Sequence, residues 1–286
     1  MTPTVRHFHY QPTGSLAYVV SDRDTRRAAV IDPVLGFSIV SGRTDTACAR
    51  EIVDYVRAES LAVDWILETH AHADHLSAAQ FVREEVGGRI AIGRGICAVQ
   101  SHFAKIFNLG PPFRADGGQF DRLLADGEVI EIGRLECRVI ETPGHTSDSI
   151  TLLIGDAAFV GDTLFMPDIG TARCDFPGGD AGQLFESIRK LFALPGDTRL
   201  FMCHDYPPEG RPLRFEVTVA EQKSDNVHLK GGTARGDYVA MREKRDATLS
   251  LPALILPALQ VNIRGGHLPS AENNGVSYLK IPLDLL

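Results

Sequence analysis

Between residues 70 and 75 the chain places four metal-donor side chains in six positions: His70, His72, Asp74 and His75, preceded by Thr69. Imidazole and carboxylate are the ligands a borderline metal takes, and drawing several from one short loop costs little extra chain entropy. His70 and His72, two apart, share a face in an extended segment, while Asp74 and His75 fall where the chain turns. Two histidines bracketing a glutamate on a helix, the zinc-protease pattern, are absent; here the carboxylate belongs to the donor set. A scatter of polar loop residues does not account for that density.

The elements around this stretch are those that carry chemistry in α/β proteins. The apolar run Trp65-Ile66-Leu67 predicts a buried strand, within a strand over 64–68, and the spacing from Leu76 to Glu85 predicts a helix, so the donors sit on a loop leaving a strand end. Upstream, Leu16 to Val20 and Ala28 to Ile31 predict a hairpin closed by Asp32-Pro33, Pro33 to Thr44 a loop, and Asp45 to Glu59 an amphipathic helix capped by Asp45. Downstream, a strand is expected at Arg89 to Gly93, a helix at Val99 to Phe107, and a hairpin from Gly127–Ile132 and Leu135–Glu141. Strands follow at Ser149–Ile154, at Ala157–Val160 and in the run to Cys203. Further helices are expected from Gly182 to Leu194 and from Val219, with a charged surface helix from Asp237 to Leu249. His7, His9 and His102 are expected to be surface or structural. The tail from Leu251 has few helix signals but too many apolar residues to leave in water. The order suits an α/β fold: two mixed sheets face to face with helices outside.

Composition narrows the function classes. The chain has 286 residues, 44% hydrophobic and 23% charged, with 37 acidic against 29 basic side chains, a net charge of -8. That balance argues against a nucleic-acid partner, which needs a basic surface. No apolar run approaches the ~20 residues that span a bilayer, and Met1 to Tyr10 lacks the apolar core of a signal peptide. Five cysteines without CxxC spacing do not make a disulfide framework. A cytoplasmic location without membrane association is expected, and a homodimer is left open.

The stretch from His70 to His75 resembles the HxHxDH signature of the metallo-β-lactamase superfamily. That family also uses a later His, a later Asp and a final His on strand-end loops. His145 in Thr142-Pro143-Gly144-His145-Thr146, Asp162 in Gly161-Asp162-Thr163 and His204 in His204-Asp205-Tyr206 answer to these. The resemblance implies an αββα sandwich and a single metallo-β-lactamase-like domain over 1–286, with an extension from about residue 205 packed on it. Two uses of the donors are open. Two metals, zinc for instance, would be held by His70, His72 and His145 and by Asp74, His75 and His204, with Asp162 bridging. Alternatively one Fe(II) is held by His70, His145 and Asp162, two imidazoles and a carboxylate with open positions. His72, Asp74, His75 and His204 would then orient ligands and waters.

The flanking residues resemble the persulfide dioxygenase branch: Gly170-Thr171-Ala172-Arg173-Cys174-Asp175-Phe176, His204-Asp205-Tyr206 and the tail Val261-Asn262-Ile263-Arg264. Cys174 stands where that branch has Thr, and Gly265-Gly266 where a cysteine often follows. The resemblance implies that glutathione persulfide, O2 and water give glutathione and sulfite at one non-haem iron. Arg173 would pair with a glutathione carboxylate, or structurally with Asp175 or Asp168. Tyr206 would donate a hydrogen bond to the substrate, or simply pack over the site. The competing enzyme is a dizinc glutathione-thioester hydrolase similar to glyoxalase II. A third reading, from another class, is a non-enzymatic metal- or redox-binding module.

Overall fold

Strands buried on both faces read as nearly continuous apolar runs, and the runs Leu16 to Val20 and Ala28 to Ile31 are of this kind. In the computed structural model, which describes residues 2–285, β1 (Thr4–Tyr10), β2 (Ser15–Ser21) and β3 (Arg27–Ile31) form an antiparallel meander. The chain continues through β4 (Val34–Ser38), β5 (Arg43–Asp45), α1 (Ala47–Ala58), β6 (Ala62–Glu68), β7 (Leu76–Ser77), α2 (Ala79–Val86), β8 (Arg89–Gly93), α3 (Ile96–Ile106) and β9 (Arg122–Leu124). A second run holds β10 (Val129–Ile132), β11 (Leu135–Glu141), β12 (Ile150–Ile154), β13 (Ala157–Phe159), α4 (Ala181–Phe192), β14 (Arg199–Phe201) and β15 (Glu216–Thr218). It is followed by α5 (Val219–Asp225), α6 (Arg235–Asp246) and α7 (Ile255–Asn262).

Two six-stranded sheets result, ordered β1-β2-β3-β6-β8-β9 and β10-β11-β12-β13-β14-β15. Both are mixed: β3, β6, β8 and β9 run parallel, and β13 and β14 are the parallel pair of the second sheet. Period-two alternation decides what each face meets. Leu16, Tyr18 and Val20 point between the sheets, where Ile31, Trp65 and Leu67 meet Val139, Leu152, Phe159 and Phe201. Ala17 and Val19 point outward against α1 and α2, with Ile52, Val56 and Val82. The second sheet presents Ala158 and Leu200 outward to Leu184, Ile188 and Tyr238 of α4 and α6. The layers are helix, sheet, sheet, helix, as expected.

Helix ends follow local chemistry. The Asp45 carboxylate accepts the Ala47 N–H at 2.9 Å, and Asp180 accepts from Gln183 N at 2.7 Å. Gly87, at φ 79°, ends α2.

Three expectations change. The loop expected over 33–44 contains β4 and the start of β5, which join β7 in a small third sheet; β7 also takes the first turn of the helix expected from Leu76. The helix expected from Asp237 as a surface element buries Tyr238, Arg242 and Asp246. The tail forms α7, buried on all sides, with Pro257 in its first turn, where the missing N–H costs nothing. No helix among the described residues is long and apolar enough to cross a membrane.

Candidate metal centre

Four strands deliver the donors to one edge of the sandwich. β6 ends at Glu68, just before the His70–His75 loop; β11 leads to His145, β13 to Asp162 and β14 to His204. The two sheets are tied at this edge by Leu16 N donating to Cys203 O (2.7 Å) and Ile150 N to Thr69 O (2.9 Å).

The seven donors expected from the sequence fall into two sets, each within 4.8 Å: His70, His145 and Asp162, and His72, Asp74, His75 and His204; buried Cys203 adds two overlapping groups, one with Asp32 and His72 and one with Asp162 and His204. His72, which the two-metal reading assigns with His70 and His145, groups with the second set. Asp162 lies between the sets. Its Oδ2 is 4.0 Å from His70 Nε2 and 3.6 Å from His145 Nε2, while its Oδ1 is 3.5 Å from His204 Nε2. Asp74 Oδ2 is also 3.5 Å from His204 Nε2.

The residues fit a metal on their own chemistry. His70 Nε2, both nitrogens of His72 and His204, His75 Nε2 and Asp162 Oδ1 are buried without a hydrogen-bond partner. Each such atom costs about 1–3 kcal/mol if nothing satisfies it, so a cluster of them is a cradle for cations. Burial foremost, then neighbouring imidazoles, holds His70 and His72 well below the usual histidine pKa, which keeps them neutral and able to ligate. Burial works to raise Asp74, but His204 and His75 outweigh it and hold the carboxyl well below its ordinary value.

Outer contacts set which nitrogen is free. His145 Nδ1 donates to the Arg173 carbonyl at 2.8 Å, leaving Nε2 as the ligand atom. The Thr69 hydroxyl donates to Asp32 Oδ2 at 2.9 Å, so its lone pair accepts from His70 Nδ1 at 3.1 Å and frees His70 Nε2. The sequence reading treats Asp32 only as a strand end. In the fold it also accepts Thr69 N (2.8 Å) and lies 3.1 Å from His72 Nε2. Glu68, bonded to the Ser77 hydroxyl, lies 3.7 Å from the same nitrogen. Burial raises both carboxyls. Asn262 of α7 donates to the carbonyls of His72 and His75, 2.8 Å each, and accepts Ser77 N at 2.8 Å. The Asn lies within the tail segment that carries the branch resemblance, but no local signal marks this contact.

His145, Asp162 and Asp74 open onto a cavity of about 610 Å³ walled by Phe165, Phe176 and Ile169. Arg173 and Tyr206 line it too. The Arg173 fork is bound to Asp175 (2.6 and 2.6 Å) and Ser250 O (2.7 Å), so Asp175 is its structural partner, while Asp168 pairs with Arg211. The half-exposed Tyr206 ring stacks on His204, centroids 5.5 Å apart, and burial foremost, with Asp74 and Asp162, raises its hydroxyl pKa. Gly144 packs against α4: a Cβ there would sit 2.3 Å from Leu184 Cα, at a φ of +141°. Cys174 is buried, and burial pushes its thiol pKa up. His7 stacks on Phe215, and His102 is exposed on α3; neither joins the centre.

The family model described as the metallo-beta-lactamase superfamily matches residues 10–204. A probable metallo-hydrolase of Burkholderia pseudomallei is 52% identical over 99% of this chain and 100% of its own length. The β-lactamase hydrolase-like protein of Xylella fastidiosa is 52% identical over the whole chain, which spans 66% of that longer protein. Glyoxylase B2 of Dictyostelium discoideum is 47% identical over 94% of this chain and 92% of its own. The mitochondrial persulfide dioxygenase ETHE1 of Bos taurus is 30% identical over 87% and 83%. The crystal structure of ETHE1 from Myxococcus xanthus superposes with a TM-score of 0.74 at 28% identity, covering 92% of this chain and all of that one. Donors, layers and relatives agree: the chain belongs to the metallo-β-lactamase superfamily.

Proposed function

We propose that the protein is a persulfide dioxygenase that oxidises glutathione persulfide with O2 and water to glutathione and sulfite. The observation that carries this reading is the division of the donors. Two imidazoles and one carboxylate, His70, His145 and Asp162, form a set of three, and two of its members face the cavity. Fe(II) held there would supply a redox-active centre with open coordination positions and affinity for a soft sulfur ligand. The chain's own residues do the rest. Asp32, through Thr69, and the Arg173 carbonyl hold the two imidazoles in their ligating tautomers. Phe165, Phe176 and Ile169 wall out water around the reacting sulfur. Tyr206 donates its hydroxyl hydrogen to the substrate. With the Arg173 fork committed to Asp175, carboxylate recognition passes to Arg245, exposed where α6 meets the cavity and without an ion pair among the described residues.

A second reading is favoured by the other set. His72, Asp74, His75 and His204 make a full complement for another cation, and Asp162 offers one oxygen to each set. Two zinc ions there would support hydrolysis of a glutathione thioester, in keeping with the metallo-hydrolase and glyoxylase names of the more similar relatives. Metal analysis of protein purified without oxygen, paired with oxygen uptake on adding glutathione persulfide, separates the two. About one iron per chain with uptake supports the dioxygenase. About two zinc per chain, no uptake and turnover of a hydroxyacyl-glutathione would overturn it in favour of the hydrolase.

A further inference from the structure

The family match ends at residue 204, yet a helix beyond it reaches the segment that seats His145. α6 buries Arg242 and Asp246 almost completely, at 1% and 4% exposure. A buried ion pair is poor evidence of added stability, because desolvation offsets much of the attraction. What the pair holds is more informative.

Arg242 donates to Asp246 Oδ1 through Nε (2.9 Å) and one terminal nitrogen (2.6 Å), and through the other to the Thr171 carbonyl at 3.0 Å. Asp246 Oδ2 accepts the Cys174 N–H at 2.8 Å. Tyr238, one turn earlier, donates to Thr171 Oγ1 at 2.9 Å. Both ends of the segment 171–174 are therefore pinned to α6. Between them lies Arg173, whose carbonyl accepts the His145 Nδ1 proton and whose side chain is itself fixed to Asp175 and Ser250. Only a planar fork can bind a carboxylate and a carbonyl at once in this way; an ammonium cannot reproduce it.

We propose that the Arg242–Asp246 pair is a positioning device for the metal centre, holding the segment 171–174 so that the Arg173 carbonyl keeps the His145 proton on Nδ1 and Nε2 free to ligate. The proposal rests on His145 being a metal ligand, as in the proposed function, and on neither reaction.

Cobalt-loaded protein tests it without turnover, by the visible spectrum and by chelator competition for the metal. Asp246→Asn and Arg242→Lys are each expected to weaken cobalt binding about 10-fold or more and to alter the spectrum. Tyr238→Phe, which removes one hydroxyl, is expected to shift the spectrum the same way by less. Leu191→Ala, a cavity in the same core, should lower the melting temperature while leaving spectrum and affinity as in the wild type. Wild-type cobalt binding in both Asp246→Asn and Arg242→Lys, or equal weakening in Leu191→Ala, would overturn the proposal. If these pair variants do not fold, an unchanged spectrum in Tyr238→Phe overturns it. His145→Ala is the reference: if it binds cobalt normally, the ligand assignment fails rather than the positioning.

Discussion

The two donor sets share a loop but not an environment. His145 and Asp162 stand at the cavity wall, whereas the four-member set reaches the cavity only through Asp74; His72, His75 and His204 are closed over. Behind His70 and His145 lie a threonine hydroxyl and a backbone carbonyl; behind His72 lie the buried carboxylates of Asp32 and Glu68. One set is open and nearly neutral at its back, suited to meeting a substrate. The other is enclosed and backed by two carboxyl groups whose pKa values burial raises. Two residues tie them together: Asp162 in front and Asp32 behind.

The largest change should come from the front tie. Asp162→Ala is expected to strip metal from both sets and lower turnover on the order of 10³-fold, the loss of several kcal/mol of charge stabilisation. Retained metal and activity would break the comparison outright. Next, His145→Ala and His75→Ala distinguish the sets. With one iron, only His145→Ala loses metal; with two metals, each loses one, as metal analysis of the purified variants would show. Asp32→Asn, at the back tie, is expected to weaken metal binding about 10–100-fold whichever set is filled, and a chelator titration matching wild type would remove Asp32 from the centre.

The smallest effect concerns His228, which accepts Thr171 N at 3.0 Å through Nδ1 and so must be neutral in the fold. Burial foremost, with Arg242 and Arg245, lowers its pKa from 6.5 to about 4. Below pH 6.5 the unfolded chain takes up a proton that the folded chain refuses until about pH 4, so stability falls with pH across that window and is flat beneath it. For this half-buried ring, screening reduces the loss to about 1–2 kcal/mol. Because His70 and His72 also lower the stability of metal-free protein in the same window, the His228 share is read as the difference between the pH profiles of wild type and His228→Gln in denaturant melts.

The donors were legible because each follows an apolar β-rich run, and such runs announce strand ends locally. β8 falls where the short strand was expected, at Arg89–Gly93. The small third sheet was not legible: β5 is three exposed polar residues, β7 is only two residues, and β4 is interrupted by Gly36. α7 was not legible because a helix buried on every side, its polar Gln260 and Asn262 included, has no apolar period to read. In α6, Arg242 and Asp246, four apart, look like a solvated pair, and only the packing shows them buried. Asp32 and Asn262 act through distant partners that no local pattern reveals. The branch resemblance agrees with the ETHE1 relative and the superposed ETHE1 structure, whereas the more similar relatives carry metallo-hydrolase and glyoxylase names.

Asn262 has a consequence for synthesis. The carbonyls of His72 and His75 find this partner 190 and 187 residues further along the chain. While the ribosome has made everything up to His204 but not α7, all seven donors exist, and the loop carrying four of them lacks the clasp on its His72 and His75 carbonyls. A stop codon just short of residue 262 would therefore spare every ligand and still damage the centre they form.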